Sequence, residues 1–468
     1  MKNWELWVRN LSIVAFLALS AFALWFGGLN QDEGWYLYAA KLVSEGRMPY
    51  RDFAFTQGPV LPYFYSFFTS LYYPFGLLGG RIFTLVLGSL SILCCLGVAK
   101  KLGGSLLICF LLLACNLYHL YYLSIPKTYA LTALFLSAGV WMFLIDRWWS
   151  IALAAALLSL ATGTRISFGL TLAVCGCYLL YRREWLKAVI FALVGFAVLA
   201  LIFGPFLIDP QAREGLIAAQ SYHALRSGGG LMMVAGSLSR LSRYYALTFL
   251  LLAFTLATPA GRVCHSVTAV IVAPVFLFQL FAPCPYEDYQ VPLMGLLAAV
   301  ASCAQFSSLP TFLLAGLLAF SNPLIEKWMS NGQDRFWPIM KVQSELSQLR
   351  SVAREINALD PGGSLLLTQD TYLAVETNRH VPTGLEMGPF SILSSDEWRA
   401  LLEITPCNVA ALSGYTFAVN PPKCDKRPLD EQLEFWQILK KRYDLKDQID
   451  YFGQQATTLL ILKQKEVK

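Results

Sequence analysis

Apolar runs long enough to cross about 30 Å of hydrocarbon recur along the first two thirds of the chain, separated by short polar breaks. They predict eleven spans: Leu11 to Leu29, Phe75 to Val98, Ser105 to Tyr122, Tyr129 to Ile145, Ile151 to Thr162, Ile166 to Tyr181, Leu186 to Leu207, Tyr245 to Thr258, Val263 to Phe281, Val291 to Ala304 and Leu309 to Phe320. An odd number puts the termini on opposite sides. The first run continues past Ala21-Phe22-Ala23, so it reads as an uncleaved helix rather than a signal peptide. Lys and Arg collect in alternate breaks: Lys2 and Arg9, Lys100 and Lys101, Arg147, Arg182 with Arg183 and Lys187, and Arg262. That side is expected to be cytoplasmic. The first loop, the Ser124 to Thr128 turn, the Asp209 to Arg243 loop, the Pro283 to Gln290 turn and everything after Ser321 are then external.

After Ser321 the pattern becomes that of an ordinary polar sequence. A helical period runs from Trp337 to Leu359 and is stopped by Asp360-Pro361-Gly362-Gly363. Ser364 to Thr368, Asn408 to Leu412 and Thr457 to Leu462 read as short buried strands, with helices at Ser395 to Leu402 and Leu429 to Tyr443 between them. The expected organisation is a polytopic α-helical membrane domain over residues 1–324, with a first external loop at 30–74, and a small extracytoplasmic α/β domain over 325–468.

Composition agrees. The 468 residues are 56% hydrophobic with a mean hydropathy of +0.52, and 14% are charged, where a soluble protein would carry about a quarter. The net charge of +6 is carried by basic residues standing mostly singly between apolar runs, which excludes a nucleic-acid-binding stripe. Eleven carboxylates precede Pro323, and only Glu5, Asp146 and Glu184 fall on the cytoplasmic side, so the acids crowd the external face. Most cysteines lie in apolar runs as small hydrophobes. Cys407 and Cys424 are the pair in the polar tail, and they can bridge if the tail faces an oxidising compartment. His119 and His223 stand alone, and no metal-ligand spacing occurs.

Chemistry is expected in the stretch NQDEGWYLYAAKLVSEGRMPYRDFAFTQGPVLPYFY, Asn30 to Tyr65. It places adjacent carboxylates, Asp32 and Glu33, where the first span leaves the bilayer, and charges at such a depth are costly enough to mark a site. Asn30 and Glu33 also fit an N-capping box, which would give Glu33 a structural task. An interfacial helix from Gly34 to Val43 follows, then a turn of Tyr50, Arg51, Asp52 and Phe53, a Gln57-Gly58-Pro59 break and a second aromatic helix from Pro62. External cations form a second signal: Arg81 after Gly79-Gly80, Lys127 after Pro126, Arg165 in Thr162-Gly163-Thr164-Arg165, and Arg240 and Arg243 before the eighth span. Singly these would snorkel to lipid headgroups. As a set on the Asp32 side they would hold a phosphate or diphosphate through charge-assisted hydrogen bonds. The turn containing Tyr286, Glu287, Asp288 and Tyr289 is a third candidate, with helix capping and the interfacial aromatic belt as its plainer reading.

The order of these motifs resembles a known family. An apolar span, an Asp-Glu pair, Gly34-x-Tyr36-x-x-Ala39, Pro49-Tyr50-Arg51-Asp52-Phe53 and Gly58-Pro59-x-x-Pro62-Tyr63 are similar to the first external loop of the GT-C superfamily. Within it the likeness is to bacterial membrane glycosyltransferases related to protein O-mannosyltransferases and to lipid A aminoarabinose transferase. Arg81 after its glycines, the Gly163-Thr164-Arg165 turn, and the tail segments Tyr372 to Glu376 and Gly384 to Gly388 strengthen it. The resemblance implies inverting transfer of one sugar from a polyprenyl-phosphate carrier to a glycan, lipid or protein acceptor on the extracytoplasmic face of a bacterial inner membrane. It implies Asp32 as general base accompanied by Glu33. Tyr36, Tyr50, Arg51, Gln57, Arg81, Lys127, Arg165, Arg240, Arg243, Tyr286, Glu287 and Tyr289 would then contact substrate. Two departures stand out: Gln57 where aminoarabinose transferases carry a Lys, and Ile125-Pro126-Lys127-Thr128 where some relatives carry a second acid. One carboxylate pair makes a poor divalent site, so no cofactor is assigned. A transporter or flippase of a lipid-linked glycan is the alternative, and an assembly protein with a degenerate site a third.

Overall fold

In the computed structural model the described residues are 3–225, 230–256, 271–282, 285–304, 306–329, 343–391, 393–405, 407–413, 429–454 and 456–465. The chain is mainly helical and divides into two compact units. One comprises Met1–Leu24, Thr56–Leu61 and Ile82–Lys327, the other Trp25–Phe55, Pro62–Arg81 and Trp328–Lys468. The loop at 30–74, apart from residues 56–61, therefore packs as one body with the C-terminal segment.

The first unit holds most of the long apolar helices. Among the described residues five helical segments are long and apolar enough to cross a bilayer, Trp4–Phe26, Thr69–Leu102, Thr128–Ile145, Trp185–Ile208 and Ser308–Ile325. A sixth span results if the pair Leu106–Ala114 and Leu117–Ser124, bent by 71°, counts as one. The run expected as a single span from Ser105 is this broken pair. The break falls at Cys115 and Asn116, where the Asn116 side chain caps His119 N at 3.1 Å and donates to the Tyr244 carbonyl at 3.0 Å. Shorter apolar helices occupy Trp148–Thr164, Ile166–Tyr181, Ala246–Thr255 and Ile271–Leu280, and the first part of the expected Val263 run lies outside the described residues. Small residues let the helices of this unit approach closely. Ala154, Ala155 and Ala161 are buried on Trp148–Thr164, and Ser159 donates to the Gly195 carbonyl at 3.2 Å.

The second unit joins the helix Gln31–Ser44 to the C-terminal segment. Gly34 is needed there, because a Cβ would lie 2.2 Å from the Tyr372 amide nitrogen, so this helix and Thr371–Thr377 pack backbone to backbone. A three-stranded antiparallel sheet has the order β1-β3-β2, with β1 Val409–Leu412, β2 Tyr443–Phe452 and β3 Thr457–Gln464. The register runs Val409 to Lys463 on one side of β3 and Tyr443 to Gln464 on the other. β1 and β3 are the expected strands. β2 was not expected, since its sequence YDLKDQIDYF is a charged, largely exposed edge rather than an alternating half-buried strand. The Ser364 to Thr368 stretch forms single parallel bridges, Leu365 to His380 and Leu367 to Ala410, and not a continuous strand. Helix Glu345–Leu359 buries Leu346, Leu349, Val352, Ala353 and Ile356 at helical spacing, and the expected start at Trp337 lies outside the described residues. Cys407 is a buried free thiol, while Cys424 also lies outside them.

Candidate active site

In the second unit the site is built on a helix start. Asn30 has extended backbone and accepts from Asp32 N at 3.1 Å, while Glu33 Oε1 accepts from Asn30 N at 2.9 Å, completing the capping box. Glu33 does more than cap. Arg81 Nε and Nη2 each donate to its carboxylate at 2.7 Å, and the same guanidinium donates at 3.0 Å to the carbonyls of Gly27 and Gly28. Both side chains are fully buried. Two sequence candidates, Glu33 and Arg81, thus lie in a closed ion pair that fixes the turn into the helix. Of the two acids, only Asp32 keeps partial exposure, and its Oδ1 accepts from Trp35 Nε1 at 3.1 Å.

The rest of the loop forms an aromatic wall. Trp35 and Tyr36 stack with ring centroids 3.8 Å apart, and Phe55 meets both edge-on. Tyr36 and Tyr50 are buried, Tyr50 with left-handed backbone at φ +67°. Burial pushes the Tyr50 hydroxyl well above its usual range. Arg51 pairs with Asp52 at 2.8 Å on the surface, and its hydrogen bonds, with one from Met48 N, pull the Asp52 carboxyl down to about 2.

In the first unit three separate turns meet. Lys127 Nζ lies 3.4 Å from Asp288 Oδ2 and 4.9 Å from the centre of the Tyr129 ring. Tyr129 donates to the same Asp288 oxygen at 2.8 Å. Arg165 is held over Tyr129 and Tyr289, at 5.0 and 4.5 Å from the ring centres, and donates to Thr128 Oγ1 at 3.4 Å. The cluster thus brings two cations, Lys127 and Arg165, beside one carboxylate and two tyrosine rings. Asp288 belongs to the turn that the sequence marks as a candidate, whereas Tyr129 is not marked there as a site residue. Glu287 is the acid expected from that turn as a substrate contact, and Tyr129 stands in the sequence only as the start of a predicted span. Glu287 pairs with Arg240 at 2.9 Å, and Tyr286 meets Tyr289 edge-on. Arg243 is exposed at the rim of a separate apolar cavity of about 350 Å³ lined also by Asn116, Tyr244 and Tyr245. Gln57 is half-buried beside Gly58, where a Cβ would lie 2.1 Å from the Gly163 carbonyl oxygen, so the loop packs directly on the turn leading to Arg165. His119 is a core residue, its Nδ1 3.0 Å from the Tyr245 hydroxyl. Among the described residues no three His, Cys, Asp or Glu side chains group closely enough to hold a metal ion.

The chain is therefore a helical integral membrane protein whose fold is that of known solved structures. In particular it resembles ArnT from Cupriavidus metallidurans, whose crystal structures bound to undecaprenyl phosphate and in the apo state each match with a TM-score of 0.65 over 98% of both chains at 13% identity. A weaker likeness, with a TM-score of 0.48 and 11% identity over 98% of this chain and 74% of the other, is to the Archaeoglobus fulgidus oligosaccharyltransferase tethered with an acceptor peptide. No family model matches the chain, and no curated protein matches it in sequence.

Proposed function

We propose that this protein is a membrane glycosyltransferase that moves one sugar from a polyprenyl-phosphate carrier to an acceptor hydroxyl, with inversion, on the extracytoplasmic face of a bacterial inner membrane. The N-terminus is then cytoplasmic and the C-terminal domain external. One observation carries the reading: the fold matches, over almost its whole length, that of ArnT, which was solved bound to undecaprenyl phosphate. Asp32 is the base. It takes the acceptor O–H proton as the oxygen attacks the anomeric carbon, the bond from that carbon to the phosphate oxygen breaks, and the carrier leaves as polyprenyl phosphate with one more negative charge. A carboxylate is a weak base toward an alcohol, so proton transfer must accompany attack in a partly dehydrated site. Lys127 and Arg165 are assigned to the growing charge on the leaving phosphate, the largest electrostatic task of the reaction. Asp288 and Tyr129 hold that pair of cations, and Glu33 and Arg81 hold the helix that carries the base.

The test is transfer by purified protein in detergent from a panel of radiolabelled polyprenyl-phosphate hexoses and pentoses, with membrane extract as acceptor. Label should leave one carrier with wild type and stay on it with Asp32→Asn. Equal turnover by both proteins would remove Asp32 from the chemistry. A panel that is bound or carried across vesicles without any transfer would put a lipid-linked glycan transporter in its place.

A further inference from the structure

A helix begins with four amide N–H groups that have no partner within the helix. At Gln31–Ser44 the amides of residues 30 to 32, and that of Leu29 just before the cap, are all taken up by side chains, two of them from the C-terminal segment. Leu29 N donates to Glu345 Oε2 at 2.6 Å and Gln31 N to Gln454 Oε1 at 2.8 Å, while Asn30 N and Asp32 N are held by the capping box. Glu345 opens the helix Glu345–Leu359, which is fixed by its own cap at Ser344. Gln454 lies in the turn between β2 and β3. That turn reaches its place through Gly453, which has φ +70° and where a Cβ would sit 2.4 Å from the Tyr372 hydroxyl. The carbonyls just before Leu29, those of Gly27 and Gly28, are held by Arg81, so the amides are the part of the turn into the helix that Glu345 and Gln454 fix.

We propose that Glu345 and Gln454 are positioning residues that set where the Asp32 carboxylate stands. The inference rests on Asp32 being the base. Both residues act through backbone amides next to it and touch no reacting atom. Their effect should fall on turnover, since a reactive group displaced by about 1 Å can cost on the order of a hundredfold in rate.

Glu345→Ala, Glu345→Gln, Gln454→Ala and Asp32→Asn are to be compared in the full-length protein by transfer at saturating and limiting donor. Glu345→Ala should lower kcat by about tenfold to a hundredfold with donor KM unchanged, and Gln454→Ala should do so to a smaller degree. Glu345→Gln should recover most of the rate, because its amide oxygen can accept from the same Leu29 N–H. Alanine variants at wild-type kcat, beside an inactive Asp32→Asn, would overturn the positioning role and leave the base in place. Glu345→Gln as slow as Glu345→Ala would overturn it too, since the lost element would not then be this hydrogen bond. If Asp32→Asn itself turns over, the base assignment fails first and the positioning role falls with it. If Glu345→Ala does not fold, Gln454→Ala, at an exposed turn, decides alone.

Discussion

Glu33 with Arg81 is a buried pair of opposite charge and Lys127 with Asp288 a partly buried one, and they are built differently. The first makes two bonds of 2.7 Å, adds two carbonyls and a backbone amide, and excludes solvent completely. The second is 3.4 Å long, shares its carboxylate with a tyrosine hydroxyl, and sits beside another cation stacked on two rings. A pair closed on itself in short bonds has spent its charge on holding a turn. A cluster of two cations around one acid is looser, and stacking on ring faces orients a guanidinium while leaving its edge to make hydrogen bonds. The same residue types, Arg or Lys facing a carboxylate, therefore do structural work in one unit and are proposed to do chemical work in the other.

The largest effect expected is at neither pair. Asp32→Asn should lose about 10²- to 10⁴-fold in transfer while its thermal unfolding matches wild type. Breaking the closed pair comes next. Arg81→Met leaves Glu33 buried and unpaired, and should cost about 3–5 kcal/mol, read as a lowered melting temperature and poor recovery from detergent. Lys127→Met should instead fold normally and lose roughly 1.5–3 kcal/mol of donor binding, about tenfold to a hundredfold in donor KM. If Lys127→Met unfolds like Arg81→Met, the contrast between the pairs is lost. Gly58→Ala puts a methyl group against the Gly163 carbonyl and should destabilise by about 1–3 kcal/mol, with donor KM rising because the turn before Arg165 is pushed.

The smallest effect is a pH dependence in the C-terminal domain. Burial pushes the Asp370 carboxyl up to about 6, against hydrogen bonds from Ser413 and Tyr372 that pull it down. Between the ordinary carboxylate range and about 6 the folded protein holds a proton that the unfolded chain has released, so stability falls as pH rises through that window. Asp370→Asn should flatten the slope of melting temperature there. Asp52, held at about 2, has the opposite sign: its contribution is complete above the ordinary carboxylate range and is lost as pH falls through about 2. That contribution is weak for so exposed a pair.

Much of this was legible in the sequence. Asn30 and Glu33 spelled the cap, and its place where the first span leaves the bilayer singled out Asp32. The hydrophobic runs marked the membrane unit, and the short apolar stretches at Val409 and Thr457 marked two strands. What escaped was set by distance along the chain. Nothing local tells Glu33 that its partner is 48 residues on, or Leu29 that its acceptor is 316 residues away. Asp288 and Tyr129 gained their meaning only when the turns at 127, 165 and 288 met. Arg81 was read as a substrate contact because a lone Arg after two glycines has no visible partner in sequence. Its complete burial against Glu33 is a tertiary fact. β2 was missed because an exposed edge strand need carry no hydrophobic alternation.

The division of labour between base and cation cluster is tested most directly by equilibrium binding of undecaprenyl phosphate to wild type, Asp32→Asn and the Lys127→Met/Arg165→Met double variant, each in the same detergent. Asp32→Asn should bind as wild type does, and the double variant should bind at least on the order of a hundredfold more weakly while melting normally. Loss of binding in Asp32→Asn, with the double variant unimpaired, would contradict the account.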